Sequence, residues 1–306
     1  MMILSSRMNQ ADSKSRLDAI GYYIQLTKPV IIALLLTTTL GAMLVAAHGW
    51  PAMPILFFTL LGGALTSGGA SALNSYIDRD IDPVMGRTSR RPIPSGKLTP
   101  HQARNFGLIT SSLGVLVLAI FVNILSAFLA FAGLFYYVVI YTLILKRRTP
   151  QNIVIGGAAG AIPPLVGWTA VTNDINLFAI FLFLIIFYWT PPHTWALMLM
   201  VTKDYEKVKV PMMPVALGEN ETRRQIVLYS LLMVAITLLP FSIRDLGGPY
   251  LIAALVLGGW FVYLSLRLLH DGSKRTARRL YFYSNAYLAL LFIAMIVDAS
   301  VFHFIA

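Results

Sequence analysis

Apolar residues run along this chain in long unbroken blocks, not in the strict alternation of half-buried strands or the narrow stripes of surface helices. Apolar windows of the length that crosses a hydrocarbon core of about 30 Å fall at 29–47, 53–73, 102–122, 124–145, 151–171, 177–199, 225–243, 249–269 and 280–303. Lipid offers the backbone no hydrogen-bond partner, so each window predicts a helix, and the pattern predicts an all-α membrane protein with nine transmembrane helices. The third and fourth windows nearly touch at Asn123. At the start of the third, Thr99-Pro100-His101-Gln102 reads as an N-cap, a proline at the first helical position and a capping-box glutamine.

Composition agrees with a bilayer as the solvent. Of 306 residues 57% are hydrophobic and only 12% charged, with a mean hydropathy of +0.72, against about a quarter charged in ordinary soluble domains. There is no cysteine, which excludes disulfides, thiolate metal sites and iron–sulfur clusters. Of the 24 Lys and Arg residues, 23 lie in alternate connections: up to Lys28, from Arg79 to Arg104, at 146–148, from Lys203 to Arg224 and from Arg267 to Arg279. The opposite connections hold only Arg244. That asymmetry predicts that the N-terminus and the basic loops face the cytoplasm and the C-terminus the far side, as an odd helix count requires. Topology and attraction to anionic lipid account for the net charge of +11 without nucleic acid. The first 20 residues lack a long apolar stretch before a small-residue cleavage site, so no cleaved leader is expected. Residues 1–21 are expected to form a mobile tail or a short interfacial helix, and 22–306 a single domain.

Against this background one segment stands out. "NSYIDRDIDPVMGRTSRRPIPSG", residues 74–96, packs three aspartates and four arginines directly behind the second window. Asn74, Asp78 and Asp82 are spaced i, i+4, i+8, so on a helix they share one face over about 12 Å. Such a row of hard oxygen donors suits Mg²⁺, which takes one or two carboxylates and completes its shell with water and phosphate oxygens. Arg79, Arg87, Arg90 and Arg91 suit a polyanion. Together they point to metal-bridged diphosphate recognition; the plain alternative is a solvated helix end. A second cluster, "VTKDYEKVKVPMMPV" at 201–215, follows the sixth window on the same side, with Asp204 and Glu206 as oxygen donors and Lys203, Lys207 and Lys209 as cations. Alone it reads equally as a basic loop. If the two preceding helices are neighbours, both loops close over one polar cavity.

The first segment resembles the Asn-x-x-x-Asp-x-x-x-Asp motif of the UbiA-type intramembrane prenyltransferase superfamily. Within it, "LTKP" (26–29), "DRDIDPVMGRT" (78–88), "RPIPSG" (91–96), "GGAAGAIPPLVGW" (156–168), "PPHTWAL" (191–197) and "DYEKVKVPMMP" (204–214) resemble the protohaem IX farnesyltransferase branch. The resemblance runs from about residue 22 to the ninth window. It implies nine helices around a lipid-accessible cavity, with Mg²⁺ and farnesyl diphosphate at the cytoplasmic cap. It also implies farnesyl transfer to a vinyl group of haem B, with water supplying a hydroxyl to give haem O. By the same resemblance Asn74, Asp78, Asp82, Arg87, Asp204 and Lys207 are catalytic. Asn74, Asp78, Asp82 and Asp204 hold the metal, and Lys28, Arg91, Lys203 and His193 bind substrate. Where the superfamily's second motif usually has two aspartates, this chain offers Asp204 alone, a departure shared by the haem branch. The implied partners are farnesyl diphosphate, haem B and membrane lipid, with a haem A synthase or terminal-oxidase assembly factors as protein partners. The implied location is a bacterial inner membrane.

Other residues keep several readings. Tyr136, Tyr137, Tyr141, Trp168, Tyr188, Trp189 and Trp195 offer cation–π faces to a carbocation, or simply pack. His193, beside the helix break at Pro191-Pro192, could ligate haem iron, act in acid–base chemistry, or simply be a satisfied helix-interior histidine. His48, His101, His270 and His303 read as interfacial, Gly156 and Gly160 as a small-x-x-x-small packing face, and Asp298 as snorkelling to the outer interface, with a buried acid as the alternative. The competing functions are prenylation of a quinone precursor or chlorophyllide, and cation or lipid transport. A transporter would carry its charges near the bilayer midplane.

Overall fold

A computed structural model describes residues 18–301. Every element among them is helical. A short α1 (18–27) leads into α2 (Pro29–Ala46), α3 (Met53–Ile77) with a 3₁₀ turn at Asp78–Asp80, and α4 (Pro100–Phe121). Next come α5 (Ile124–Phe135), which widens into a π-helix at Tyr136–Leu145, then α6 (Asn152–Thr172) and α7 (Leu177–Met200). Two short helices, α8 (Thr202–Lys207) and α9 (Met213–Ala216), precede α10 (Gly218–Thr237) and the one-turn α11 (Leu239–Ser242). The chain closes with α12 (Gly248–Asp271) and α13 (Lys274–Val301). Nine of these helical stretches among the described residues are long and apolar enough to cross a bilayer.

The predicted boundaries hold where a cap marks them. Thr99 and Gln102 form the reciprocal capping box at the start of α4. Asn123 separates α4 from α5 by accepting from the Ser126 N–H, and its amide donates to the Thr169 carbonyl on α6. Where hydropathy alone set a boundary, the helix runs on: α3 four residues past 73, α10 from Gly218 in place of 225, and α13 from Lys274 in place of 280. A helix crossing into water keeps its backbone bonds, so the polar end of an apolar window is not the end of a helix. Residues 18–21, placed in the mobile tail by sequence, belong to α1, which docks through Leu26 on Ala72, Ile93, Leu98 and Ala103. The rest of that tail, 1–17, and His303 lie outside the described residues.

Glycine sets the closest helix contacts. A Cβ on Gly69 of α3 would come within 2.6 Å of the Gly107 carbonyl on α4, and one on Gly167 of α6 would run into the Thr39 backbone of α2. On the other side α7, α10, α12 and α13 bury Trp195, Tyr250, Phe261 and Tyr287. Two expectations are corrected here. Gly156 does pack, against Tyr141, but a Cβ on Gly160 would meet nothing within 4 Å; Gly160 opens a cavity instead of closing a helix pair. Asp298 does not snorkel: it is buried and accepts from the Gly247 and Tyr250 N–H groups, capping α12 from across the bundle. An acid held by two backbone donors at a helix N-terminus gains more from that dipole than from water. His48, His101 and His270 are exposed at helix ends, as expected.

Candidate active site

The acidic row lies at one end of the bundle, and it is buried. Asn74, Asp78 and Asp82 are 4%, 1% and 2% exposed. The α-helix gives way to a 3₁₀ turn at Asp78, and the Asp82 N–H still donates to the Asp78 carbonyl, so the three side chains stay together around a bend. Each is engaged. Lys28 Nζ donates to Asn74 Oδ1 at 2.7 Å, and Asn74 Nδ2 donates to Asp78 Oδ2 and to Thr142 Oγ1. Lys146 Nζ meets Asp78 Oδ2 at 2.5 Å. Arg147 clamps Asp80 through both terminal nitrogens and reaches Asp78 Oδ1 at 3.8 Å. Arg91 Nη1 spans both oxygens of Asp82, at 2.9 and 3.2 Å.

Cations therefore match or outnumber the carboxylates they surround, which is a poor arrangement for an empty core and a good one for an anion. Lys28 bears the cost. It is the N-cap of α2, with a left-handed φ of 57° that turns the chain from α1 into α2. Its ammonium is pushed down to about 7, chiefly by burial and then by Arg91 and Lys146, against the pull of Asp78 and Asp82.

The second predicted cluster does come to the first. The Asp204 carboxylate lies 3.8 Å from where a Cβ on Gly86 would stand, and Arg87 Nη2 donates to the buried Tyr205 hydroxyl at 3.1 Å. Burial pushes the Tyr205 phenol up. Lys207 approaches Asp204 at 3.9 Å but is exposed, as are Lys203, Glu206 and Lys209; Lys203 makes no contact with the cluster. Sequence reasoning missed Lys146, Arg147 and Thr142. The first two had been counted only as topology signals. The clue was available: they follow the Tyr137 and Tyr141 window on the same side as the acidic row.

The π-helix explains how α5 contributes. Its backbone i→i−5 bonds, such as Lys146 N–H to the Tyr141 carbonyl, widen the last turns of the helix, and the Thr142 hydroxyl donates to the Tyr137 carbonyl beside them. Tyr137 and Tyr141 stack there at 5.7 Å. Such stretches recur at functional sites.

Below the cluster a cavity of about 390 Å³ extends into the membrane-spanning region between α2, α3, α5, α6 and α7, within the usual size of ligand pockets. The α3 residues Gly63, Ser67, Ala70 and Ser71 on its wall lead at helical spacing to Asn74 and Asp78. Of the seven candidate aromatics only Tyr137 and Tyr141 line it. Trp195 is fully buried against Tyr229, and Trp168 packs on Phe178. His193 does not line it either; Thr190 and Thr194 of α7 do. His193 stacks between Trp189 and Tyr281, with Nδ1 2.6 Å from Ser284 Oγ. Since the Ser284 hydroxyl already donates to the Tyr281 carbonyl, it accepts from Nδ1–H, which leaves the Nε2 lone pair free.

The residues fit Mg²⁺ in one specific sense. Among the described residues no three His, Cys, Asp or Glu side chains form a protein-only cage. Yet Asp78 Oδ1 is buried without a hydrogen-bond partner, an orphan acceptor that a cation would satisfy. Mg²⁺ shared between one or two carboxylates and substrate phosphate needs no more than that.

The family model described as "UbiA prenyltransferase family" matches residues 34–291. A protein of Roseiflexus castenholzii named "Protoheme IX farnesyltransferase" is 53% identical over 92% of this chain, which spans 52% of that protein. The chain thus spans about half the length of the first curated relatives it matches. A protein of the same name from Symbiobacterium thermophilum is 48% identical over 95% of this chain and 99% of its own. Two solved structures share the fold. One, from work on digeranylgeranylglyceryl phosphate synthase, gives a TM-score of 0.77 at 20% identity, covering 92% of this chain and 99% of its own. The other, an Archaeoglobus fulgidus UbiA homologue bound to GPP and Mg²⁺, gives 0.66 at 15% identity, covering 90% and 99%.

Proposed function

The chain belongs to the UbiA prenyltransferase family, and from that premise we propose that it is a membrane prenyltransferase carrying a farnesyl group from farnesyl diphosphate to a vinyl group of haem B, with water added to give haem O. One observation carries the catalytic part of this reading. The end of α3 and the turn after it, carrying Asn74, Asp78 and Asp82, and α8, carrying Asp204 and Tyr205, come together among cations at the mouth of an apolar cavity. The acceptor is inferred from the shared name of relatives about half identical over most of the chain.

The chemistry asked of such a site is departure of a diphosphate from an allylic carbon. Mg²⁺ held by Asp78, Asp82, Asn74 and Asp204 would neutralise part of the leaving-group charge. Lys28 on the Asn74 amide oxygen, Arg91 on Asp82 and Lys146 on Asp78 are already concentrated there, and would exchange these partners for phosphate oxygens as the substrate enters. Arg87 and Lys207 lie at the exposed rim, suited to drawing the diphosphate in. The cavity walls exclude bulk water from the allylic cation, and Tyr137 and Tyr141 offer it their ring faces. His193, with its free Nε2, is the side chain we assign to the haem iron. The basic loops are assigned to the cytoplasmic side of a bacterial inner membrane.

Purified protein in lipid, given haem B, farnesyl diphosphate and Mg²⁺, is expected to yield hydroxyfarnesyl haem by mass, and to stop on chelation of the metal. Prenylation of a quinone precursor but not of haem would overturn the acceptor assignment.

A further inference from the structure

The cavity has a measurable depth. At its upper end Lys28 Nζ donates to Asn74 Oδ1 at 2.7 Å, which sets the N-cap of α2 and the end of α3 together at the acidic cluster. Leu35 and Thr39 carry the wall down α2, and Thr39 is the furthest residue of that helix to line it. Thr39 lies eleven residues from Lys28, about 16.5 Å along the helix. On α3 the furthest is Gly63, also eleven residues from Asn74. Two helices running in opposite directions thus give the same depth.

The floor is a helix contact. Thr39 is buried, its hydroxyl donates to the Pro163 carbonyl of α6 at 3.2 Å, and a Cβ on Gly167 would run into its backbone. The cluster side of α6 is its N-terminal part, since Gly156 packs on Tyr141, whose carbonyl accepts from the Lys146 N–H. Gly160 stands three residues before Pro163, about 4.5 Å nearer the cluster than the floor. It lines the cavity, and a Cβ there would meet nothing within 4 Å. Its φ is an ordinary helical one. Neither the backbone nor a neighbouring helix asks for glycine at this position, so the space it leaves belongs to the cavity.

Bonds of about 1.5 Å at near-tetrahedral angles advance an extended carbon chain about 1.25 Å each. Counted from the diphosphate oxygen, geranyl, farnesyl and geranylgeranyl chains are then about 10, 15 and 20 Å long. A slot of about 16.5 Å holds the second and not the third. Gly160, about 12 Å down, falls beside the third isoprene unit of farnesyl and beyond the end of geranyl. We infer that this slot measures the prenyl donor: the Thr39–Pro163 contact stops it after three isoprene units, and the absent side chain of Gly160 makes room for the third. The inference rests on the prenyltransferase reading above and is independent of the acceptor.

Competition for binding tests this without any acceptor. Protein in lipid, with Mg²⁺ and radiolabelled geranyl or farnesyl diphosphate, is challenged with unlabelled geranyl, farnesyl and geranylgeranyl diphosphate. Wild type is expected to favour farnesyl over each of the others by at least about tenfold, the scale of misfitting carbons in an apolar pocket. Gly160→Leu is expected to lower the farnesyl-to-geranyl preference by at least about tenfold, and Gly160→Ala by a smaller factor. A preference measured on one sample is not moved by partial loss of folded protein. An unshifted preference in Gly160→Leu, or geranylgeranyl diphosphate bound as tightly as farnesyl by wild type, would overturn the proposal and leave the function intact. Loss of geranyl binding in Gly160→Leu would also overturn it, because the first two units lie above Gly160. The expected donor order without any prenylated haem would overturn the haem reading alone. A wild type that binds none of the three would overturn both.

Discussion

Asp78 and Asp298 close opposite ends of the same bundle, and both are almost fully buried, at 1% and 3% exposure. Their surroundings differ completely. Asp298 has each oxygen satisfied by a backbone N–H at the start of α12, from Gly247 at 2.6 Å and Tyr250 at 3.2 Å. Asp78 puts Lys146 and Asn74 on one oxygen and leaves the other without a hydrogen bond, with Arg147 at 3.8 Å. A buried acid whose valences are all filled holds a structure together. One that keeps an orphan oxygen beside several cations is set up to receive something. Burial alone does not separate the two.

Removing the charge of Asp78 should produce the largest effect. Asp78→Asn keeps the shape but weakens metal and cation binding, and turnover is expected to fall about 10²–10³-fold, as for loss of one preorganised charge-stabilising group. Thermal unfolding in detergent checks that the fold survives; turnover within tenfold of wild type would put Asp78 in the same class as Asp298. The reverse result is expected at the other end. Asp298→Ala strands two backbone donors, and the expected loss is about 1–3 kcal/mol of stability, seen as a lower unfolding midpoint, with turnover per folded molecule preserved.

Lys28 gives a pH signature. Its pKa is lowered to about 7 in the folded protein from 10.5, so between those values the unfolded chain binds the extra proton. The Lys28 contribution to stability therefore rises as pH increases from about 7 towards 10.5, and is at its least favourable below 7. In ligand-free protein, Lys28→Met is expected to remove that part of the slope, measured as unfolding midpoint against pH. The smallest effect belongs to Lys203, which is exposed and touches none of the cluster. Lys203→Ala should change stability by no more than about 0.5 kcal/mol, as for surface positions generally, and leave KM for the diphosphate within twofold. A large rise in KM would show that the 203–207 segment closes further over the substrate than this structure does.

Much of the site was legible because membrane chains display their exceptions. Charge is so costly in lipid that the i, i+4, i+8 row and the 201–215 cluster were visible against the apolar blocks, and parity placed them on one side. The role of Lys146 was hidden by the same parity: a basic residue in one of the basic connections already has a reason to be there. The π-helix that leads to it leaves no mark in hydropathy, because its backbone bonds are made by the same apolar residues an α-helix would use. His193 and Thr194 show the limit again. They are neighbours in sequence, yet one packs against α13 and the other lines the cavity, and only helix rotation separates them.

By itself, then, the sequence determined the solvent, the number of crossings, which loops share a side and which residues have oxygen or charge to offer, because all of these follow from transfer free energies summed along the chain. Tertiary structure alone decided which of those groups meet and which valences stay open. Pairing depends on the rotation and approach of helices, set here by single glycines whose effect is felt in three dimensions: Gly167 letting α2 touch α6, and Gly160 leaving space instead of contact.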